Sequence, residues 1–449
     1  MAASLGATSL ADVHHQGLNE LLRDLANVYP VHAEEEVQLL GVPVLDALLE
    51  VFMQRATGLW VDPTHQQLSR EQILTEDEEM LLLGDEAEDV GEPGEGPATG
   101  ELGSNVLFTH SNRSKRLSPV VEIASSLSAS GKSQLLYYLI ALAILPRSFG
   151  ESSVGGHEAA VVLIDADDRF DAEVLQIVAR GIFREAKGSK DLSDSNGANE
   201  AQALPDDELE TVISSALQHV HVFRPQSSSA LLATLCGLNA YLFDLSRHHS
   251  ASRPLQMIAI DSVTAFFWQD RLRDEVARTE EIGRLRAEID QEREQKQSFY
   301  LSDLYSQIVT ELKRLQGQFG CTVVYTATVS GGRPTVKSSH SAPGPYDRCP
   351  SRTPSLRPAL PAPWGIFPTL RLVVHRDLVR SFPPAISAHD ARQDAPKRQD
   401  VLRQGKFSAW VNSWGREEWP RLVADSLDAL NGGCFSFYVR ETGMKIPPI

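Results

Sequence analysis

Cysteine is scarce in this chain, with only four in 449 residues. The four are far apart and no pair has the C-x-x-C spacing of a metal or redox site, so a disulfide-rich secreted scaffold is excluded. We therefore expect reduced, structural thiols at Cys236, Cys321, Cys349 and Cys434. The sequence also lacks an apolar run of about 20 residues, the length of a membrane-spanning helix, and shows no secretory signal. These absences predict a nucleocytoplasmic protein with no membrane partner.

Positive charge is in short supply, because 42 Lys and Arg stand against 60 Asp and Glu, for a net charge of −18. The excess is local: residues 71–101 hold twelve acidic residues and no Lys or Arg. Residues 331–410 reverse the balance, with thirteen Lys and Arg against five Asp and Glu. A local basic excess can serve a polyanion. The overall acidity therefore does not exclude a nucleic acid partner.

Three regions follow from the composition. Residues 1–65 predict a helical N-terminal leader, which includes an apolar run at 41–49. Residues 66–104 are acidic and rich in Gly and Pro, and predict a disordered linker. Residues 105–449 predict the folded core, with insertions at about 187–206, 270–297 and 330–365.

Short apolar runs alternate with helical segments through the core. This alternation is typical of an α/β fold with a mainly parallel central sheet and helices on both faces. The predicted strands are 119–124, 159–165, 219–224, 254–261, 321–328, 369–375, 407–414 and 434–440. We interpret the charged stretch at 270–297 as a solvated arm that extends from this core.

A phosphate-loop motif lies between the first predicted strand and an apolar helix that ends before Pro146. Its sequence, S-L-S-A-S-G-K-S at 126–133, matches G-x-x-x-x-G-K-[ST] except that Ser126 replaces the first Gly. In this motif backbone amides cradle phosphates, Lys contacts the β- and γ-phosphates, and the last hydroxyl binds Mg²⁺. We therefore predict ATP and Mg²⁺ as cofactors. The predicted nucleotide-binding residues are Ser126, Ser130, Gly131, Lys132, Ser133 and Gln134, with Ser133 also on the metal.

Carboxylates follow two of the predicted strands. Asp261 ends the strand at 254–261, where an acid that orders Mg²⁺ is expected; a turn or helix cap is the alternative role. An acidic cluster at 165–171 ends the strand at 159–165. It falls at the carboxyl edge of the sheet, where ligands bind in open α/β folds. A solvated turn with a helix cap remains the other interpretation of this cluster.

The order of these elements resembles the RecA-type recombinase family. Segments 164–171 and 435–444 are similar to stretches of this family, and segments 139–150 and 261–271 resemble one of its eukaryotic paralogues. The resemblance covers residues 117–330 well. It implies a RecA-like P-loop core in which Asp261 orders the metal. It places the water-activating residue at Asp167, one methylene shorter than the family's Glu. Because the loops after the fourth and fifth strands face DNA in this family, the DNA-binding candidates are Arg271, Arg273, Arg333 and Lys337.

The resemblance also implies a function. It predicts a nuclear DNA repair factor in homologous recombination of double-strand breaks, a mediator of strand exchange. It would act in a heteromeric complex with other recombinase paralogues, on single-stranded or branched DNA. If position 126 requires a left-handed backbone, Ser126 costs roughly 1–2 kcal/mol, which would weaken nucleotide affinity about tenfold.

Because Asp167 is shorter than the family's Glu, it reaches less far toward an attacking water. The sequence therefore predicts ATP binding with weak or no hydrolysis, and it does not decide whether the protein is an enzyme. Two alternatives remain. One is an active DNA-stimulated ATPase of the same fold. The other is a P-loop small-molecule kinase, and the lack of an Arg-rich lid helix in the sequence counts against it.

Overall fold

The computed structural model describes residues 39–56, 118–150, 152–191, 206–282, 300–329, 355–377, 386–414 and 419–447. The strands in these residues are β1 (Val120–Ser125), β2 (Ser148–Phe149), β3 (Ser152–Ser153), β4 (Ala160–Asp165), β5 (Val220–Phe223), β6 (Leu255–Asp261), β7 (Thr322–Thr328), β8 (Leu370–Arg376), β9 (Lys406–Val411), β10 (Cys434–Arg440) and β11 (Gly443–Lys445). The helices are α1 (Pro43–Ala56), α2 (Lys132–Ile144), α3 (Ala172–Asp191), α4 (Asp206–Leu217), α5 (Ser228–Phe243), α6 (Phe267–Glu281), α7 (Leu301–Phe319), α8 (Ala388–Gln404) and α9 (Arg421–Ala429).

Nine of these strands form one sheet, in the order β11-β10-β9-β8-β1-β7-β6-β4-β5. The strands from β8 to β5 run parallel, and β9, β10 and β11 continue the sheet antiparallel. Every residue of β1 and β4 is buried, as expected for parallel strands covered on both faces. The prediction of a mainly parallel α/β sheet is confirmed. Because these strands are parallel, the carboxyl ends of β1, β4 and β6 meet at one edge.

Helices cover both faces of the sheet. On one face α5 and α7 pack together, and their buried Leu235 and Leu312 share a cluster with Ile258 and Ile260 of β6. α2 contacts β1, β4, β6 and β7, and α3 packs beside it. α2 is apolar on nearly all sides, which fits a helix buried between a sheet and a second helix. None of the described helices combines the length and apolarity needed to cross a membrane.

The first part of the predicted solvated arm is the helix α6. Most of its side chains are exposed, which agrees with the prediction, but Asp270 and Asp274 are buried. The Ser228 hydroxyl at the start of α5 donates to Asp270, and the Leu301 amide of α7 donates to Oδ1 of Asp274 at 3.0 Å. Charge alone did not reveal these two carboxylates, which hydrogen bonds hold against the core.

Only part of the predicted leader is described, as α1. Leu45, Leu48 and Leu49 are fully buried, and α1 contacts α9 and β8. The Phe52 ring packs edge-on against Trp419, with ring centroids 5.2 Å apart. The linker at 66–104 and most of the insertions at 187–206 and 330–365 lie outside the described residues, so the region boundaries stay predictions.

Two of the cysteines fit the reduced-thiol expectation, since Cys236 and Cys321 are free. Cys434 does not fit it, because its sulfur is in a disulfide bond. The wide spacing of the cysteines in sequence carried no information about which sulfurs the fold brings together.

α3 and the turn before β11 meet at two glycines. A Cβ atom on Gly181 would lie 2.9 Å from both the Cα of Gly443 and the carbonyl oxygen of Thr442. We predict that Gly181→Ala lowers the free energy of unfolding by roughly 1–3 kcal/mol, because the added methyl overpacks this contact. Urea unfolding measures the change. The control is Gly237→Ala in α5, whose Cβ would meet no described atom within 4 Å outside its own helix. Equal destabilisation by both changes would contradict the overpacking argument.

A buried histidine network makes stability depend on pH. The Nδ1 and Nε2 atoms of His221 lie 3.0 Å from the hydroxyls of Tyr241 and Ser250, respectively. Burial, together with the nearby His248 and His219, lowers the pKa of His221 from 6.5 to about 4. Between these two pH values the unfolded chain binds more protons than the folded one, so stability falls as the pH falls.

Between pH 6.5 and about pH 4, we expect His221 to remove up to about 1.4 kcal/mol of unfolding free energy for each unit by which the pH falls. Urea unfolding at pH 7, 6, 5 and 4 tests it. His221→Asn should be less stable at pH 7 because its hydrogen bonds are lost, but its stability should fall less steeply with acid. An unchanged slope in the variant would show that other groups cause the acid sensitivity.

Candidate nucleotide-binding site

Gly131, the glycine of the motif, immediately precedes α2, and its backbone and neighbours leave room only for glycine. Its backbone is left-handed, with φ of 92°, and its carbonyl accepts the Leu135 amide at 2.9 Å. A Cβ atom would lie 2.8 Å from Cδ1 of Phe407 and 3.1 Å from Cζ of Phe437. These two rings, on β9 and β10, are stacked with centroids 5.1 Å apart. Both the backbone angle and the aromatic pair therefore demand glycine at this position.

The expected backbone strain at Ser126 is not observed. Ser126 is exposed and does not have a positive φ angle. Besides Gly131, the left-handed residue of this loop is Ala129, with φ of 56°. A non-glycine residue is thus tolerated at 126 without conformational cost, and the predicted tenfold loss of affinity is left without a physical basis. Ser130 is buried, and its hydroxyl closes the loop by donating to the Leu127 carbonyl.

Lys132 lies at the first position of α2, and its Nζ donates to the Ser125 hydroxyl at 2.6 Å. Its pKa is lowered by burial, while the carboxylates of Asp261 and Asp167 oppose the shift. Ser133 and Gln134 are half-buried in the first turn of the same helix. A helix N-terminus with a lysine is a site that suits a phosphate.

Asp261 and Asp167 come together where β4 and β6 end. Asp261 is paired with Asp165 in the sheet register, and the Thr326 hydroxyl of β7 donates to its carboxylate. The backbone carbonyl of Asp261 accepts the amides of Ala166 and Asp167, at 2.7 and 3.2 Å. Burial raises the pKa of Asp167, although its side chain reaches solvent at the rim, and the Asp261 carboxylate raises it further. The structure therefore groups Lys132, Asp167 and Asp261, as the sequence predicts.

Within the acidic cluster, Asp165 has the structural role. Its buried carboxylate accepts the amides of Arg169 and Phe170, both at 3.0 Å. The Nε of Arg224 lies 3.2 Å from Oδ2 of Asp165 and 3.3 Å from Oδ1 of Asp168. Sequence reasoning missed Arg224, which directly follows β5. Its position at the end of the predicted strand 219–224 was a usable signal, because it places the residue at the same edge of the sheet.

The oxygen ligands present fit Mg²⁺ only together with a nucleotide. Ser133 and Asp261 supply a hydroxyl and a carboxylate, which are suitable hard ligands. Within the described part of the chain, no group of three or more His, Cys, Asp and Glu residues could hold a metal by itself. Mg²⁺ is commonly held by one or two protein ligands plus phosphate oxygens, and this donor set matches that pattern.

Two of the four predicted DNA contacts are described, and they lie on helix α6 rather than on a loop. Arg271 and Arg273 are both exposed. The Arg271 guanidinium lies over the ring of Trp268, 5.7 Å from its centroid, and Trp268 is 61% exposed. Arg271 also pairs with Glu275 at 3.1 Å. Arg333 and Lys337 lie outside the described residues.

The strand order, the loop between β1 and α2, and the carboxylates at the ends of β4 and β6 define a RecA-like α/β core. No family model matches the chain. The chain is similar to a curated protein of Arabidopsis thaliana described as "DNA repair protein XRCC2 homolog". The two are 24% identical over 281 residues, which cover 58% of this chain and 70% of the relative. The resemblance to the eukaryotic recombinase paralogues is thereby confirmed.

Proposed function

We propose that this protein is a nuclear DNA repair factor in homologous recombination, which binds ATP and Mg²⁺ and turns ATP over slowly or not at all. The observation that carries the proposal is the convergence of Lys132, Asp167 and Asp261 at one edge of a RecA-like sheet. The similarity to a DNA repair protein supports the biological role.

Each residue of the site has a separate task in this proposal. Lys132 and the amides at the start of α2 bind phosphates, since both present positive charge to an anion. Ser133 and Asp261 would hold Mg²⁺, which neutralises phosphate charge when bound. Asp167 follows β4 at the same edge of the sheet, and burial, together with the Asp261 carboxylate, raises its pKa. Its short side chain limits how closely it can approach an attacking water.

ATP turnover with and without single-stranded DNA tests the catalytic part. We expect turnover far below that of an active recombinase assayed alongside. A matching rate would favour the alternative, a DNA-stimulated ATPase of the same fold. If the protein is such an ATPase, cells that carry Lys132→Ala should lose repair activity completely. If the nucleotide site is regulatory, the same cells should keep part of their repair activity. Formation of a phosphorylated metabolite from ATP would favour the kinase alternative.

We further propose that the chain acts in a heteromeric complex with other recombinase paralogues as a mediator of strand exchange. The slow hydrolysis proposed above motivates this, because a protein that does not cycle ATP must act through others. Co-purification of the tagged chain from cells, followed by mass spectrometry, tests it. Recovery of the chain without any recombinase paralogue would refute the mediator role.

DNA binding, on single-stranded or branched DNA, is proposed at α6. Exposed Trp268 offers a face on which a base can stack, and Arg271 beside it offers charge to the backbone. We predict that Trp268→Ala weakens single-strand binding by about 1–3 kcal/mol, measured by fluorescence anisotropy at low salt. Leu422→Ala, at an exposed apolar side chain on α9, is the control. Unchanged affinity in Trp268→Ala, or binding insensitive to salt, would remove α6 from the DNA interface.

A further inference from the structure

The turn after β4, residues 166–170, is held firmly at both ends. The amides of Ala166 and Asp167 bond to the Asp261 carbonyl. At the other end, the buried Asp165 carboxylate holds the amides of Arg169 and Phe170. The Arg224 guanidinium donates to the Phe170 carbonyl at 3.2 Å. A turn fixed at this many points presents its side chains from a rigid base, which a binding site requires.

Arg224 and Arg169 play different parts in this turn. The Arg224 guanidinium is engaged with Asp165 and Asp168 and so stabilises the turn itself. Asp168 has the left-handed φ of 53°, a conformation that costs a non-glycine residue energy and that its ion pair with Arg224 helps to hold. Arg169, in contrast, is exposed, and within the described part of the chain its guanidinium has no carboxylate within ion-pair distance.

Arg169 lies in the electrostatic range of the nucleotide site. Arg169 is two residues after Asp167 on this turn, and its charge lowers the pKa of both Asp167 and Lys132. The carboxylates of Asp167 and Asp261 offset part of the positive charge at Lys132. A phosphate group adds oxygens that both cations can contact, and guanidinium geometry suits phosphate oxygens.

We propose that Arg169 binds the terminal phosphate of a nucleoside triphosphate in cis, together with Lys132, and so makes the site prefer triphosphate over diphosphate. The inference rests on the proposed ATP-binding function. Arg169 is two residues after Asp167, beyond the carboxyl end of β4, and a single arginine in cis is known to contact transferring phosphates in other P-loop proteins. Rigid anchoring of its backbone by Asp165 limits the entropy lost when the guanidinium engages.

Calorimetric titration with ATP and with ADP, both with Mg²⁺, tests this. The chain is compared with Arg169→Gln, Arg169→Lys, and the control Arg184→Gln, which alters an exposed arginine of α3. A hydrogen bond to a charged group contributes about 1.5–3 kcal/mol. We therefore expect Arg169→Gln to weaken ATP binding roughly tenfold to a hundredfold and to leave ADP binding within about twofold. Arg169→Lys should recover part of the loss, and Arg184→Gln should change neither affinity.

The outcomes separate this inference from the function on which it rests. If the unaltered chain binds neither nucleotide, the ATP-binding proposal fails and the role of Arg169 fails with it. If the unaltered chain binds ATP but Arg169→Gln leaves the ratio of ATP to ADP affinity unchanged, only the role of Arg169 is refuted. Equal weakening of ATP and ADP would also refute it, since that result indicates a damaged turn rather than a lost contact with the terminal phosphate.

Discussion

Lys132→Ala is expected to abolish measurable ATP binding, with a loss of affinity of at least about a hundredfold. The lysine is the one cation that the motif places on the β- and γ-phosphates. Its ammonium lies at the start of α2, 2.6 Å from the Ser125 hydroxyl, and the carboxylates of Asp261 and Asp167 favour its charged form. Removal leaves phosphate oxygens without their main counter-charge, and charge-assisted contacts of this kind contribute about 1.5–3 kcal/mol each. Equilibrium titration with a fluorescent ATP analogue measures the loss.

The control for this prediction is Lys445→Ala. Lys445 is exposed on β11, where its Nζ pairs with Oε1 of Glu185 at 2.8 Å. Its removal should leave ATP affinity unchanged within about twofold, because exposed ion pairs contribute little. Retention of ATP affinity in Lys132→Ala would show that nucleotide binds elsewhere or not through this motif. Loss of affinity in both variants would indicate a general effect of removing positive charge.

Loss of the Glu122 carboxylate is expected to produce the largest change in stability. Glu122 is 3% exposed in the middle of β1, in register with Tyr325 of β7 and Arg371 of β8. The Tyr325 hydroxyl donates to Oε2 of Glu122 at 3.0 Å, and the Nε of Arg371 lies 3.5 Å from the same oxygen. Burial raises the pKa of Glu122, whereas the Arg371 charge and the Tyr325 hydrogen bond oppose the shift.

We predict that Glu122→Leu lowers the free energy of unfolding by about 3–5 kcal/mol, because it leaves the nearly buried Arg371 guanidinium without its counter-charge. Glu122→Leu combined with Arg371→Met should regain most of that loss, since an apolar pair of similar volume replaces both ions. Urea unfolding of both single variants and the double variant gives the coupling energy. Additive effects of the two substitutions would contradict the idea of a coupled buried pair.

The central sheet could be predicted from sequence because its strands are short, continuously apolar runs. Val120, Val161 and Ile258 belong to such runs, and each predicted strand is present within one to three residues at its ends. Two elements near the C-terminus, α8 and β11, were harder to predict from the sequence. α8 contains Pro396, a residue that normally excludes a helix interior, and β11 is only three residues long. Neither has a periodic pattern long enough to detect.

The positions of the carboxylates at the ends of β4 and β6 were predictable, because Asp261 and the acidic cluster at 165–171 each follow an apolar strand. The role of Asp167 within that cluster is what the family resemblance implies. The contacts that depend on the order and register of the strands could not be predicted from the sequence. Thr326 bonds to Asp261 and Arg224 to Asp165 only because β7 and β5 lie where the sheet order places them. The same holds for the Glu122–Arg371 pair, whose members are far apart in sequence. The backbone angles of the loop could not be predicted from the sequence either. We expected a left-handed residue at Ser126, whereas Ala129 has the positive φ angle.

The proposal that ATP is bound but scarcely hydrolysed has one most direct test. The purified chain is incubated with ATP and Mg²⁺ for several hours with single-stranded DNA, and the bound and free nucleotides are separated by chromatography and quantified. We expect about one nucleotide per chain, still largely ATP, and no bound nucleotide in Lys132→Ala. Absence of bound nucleotide in the unaltered chain, or steady conversion of the ATP pool to ADP by that chain, would contradict this proposal.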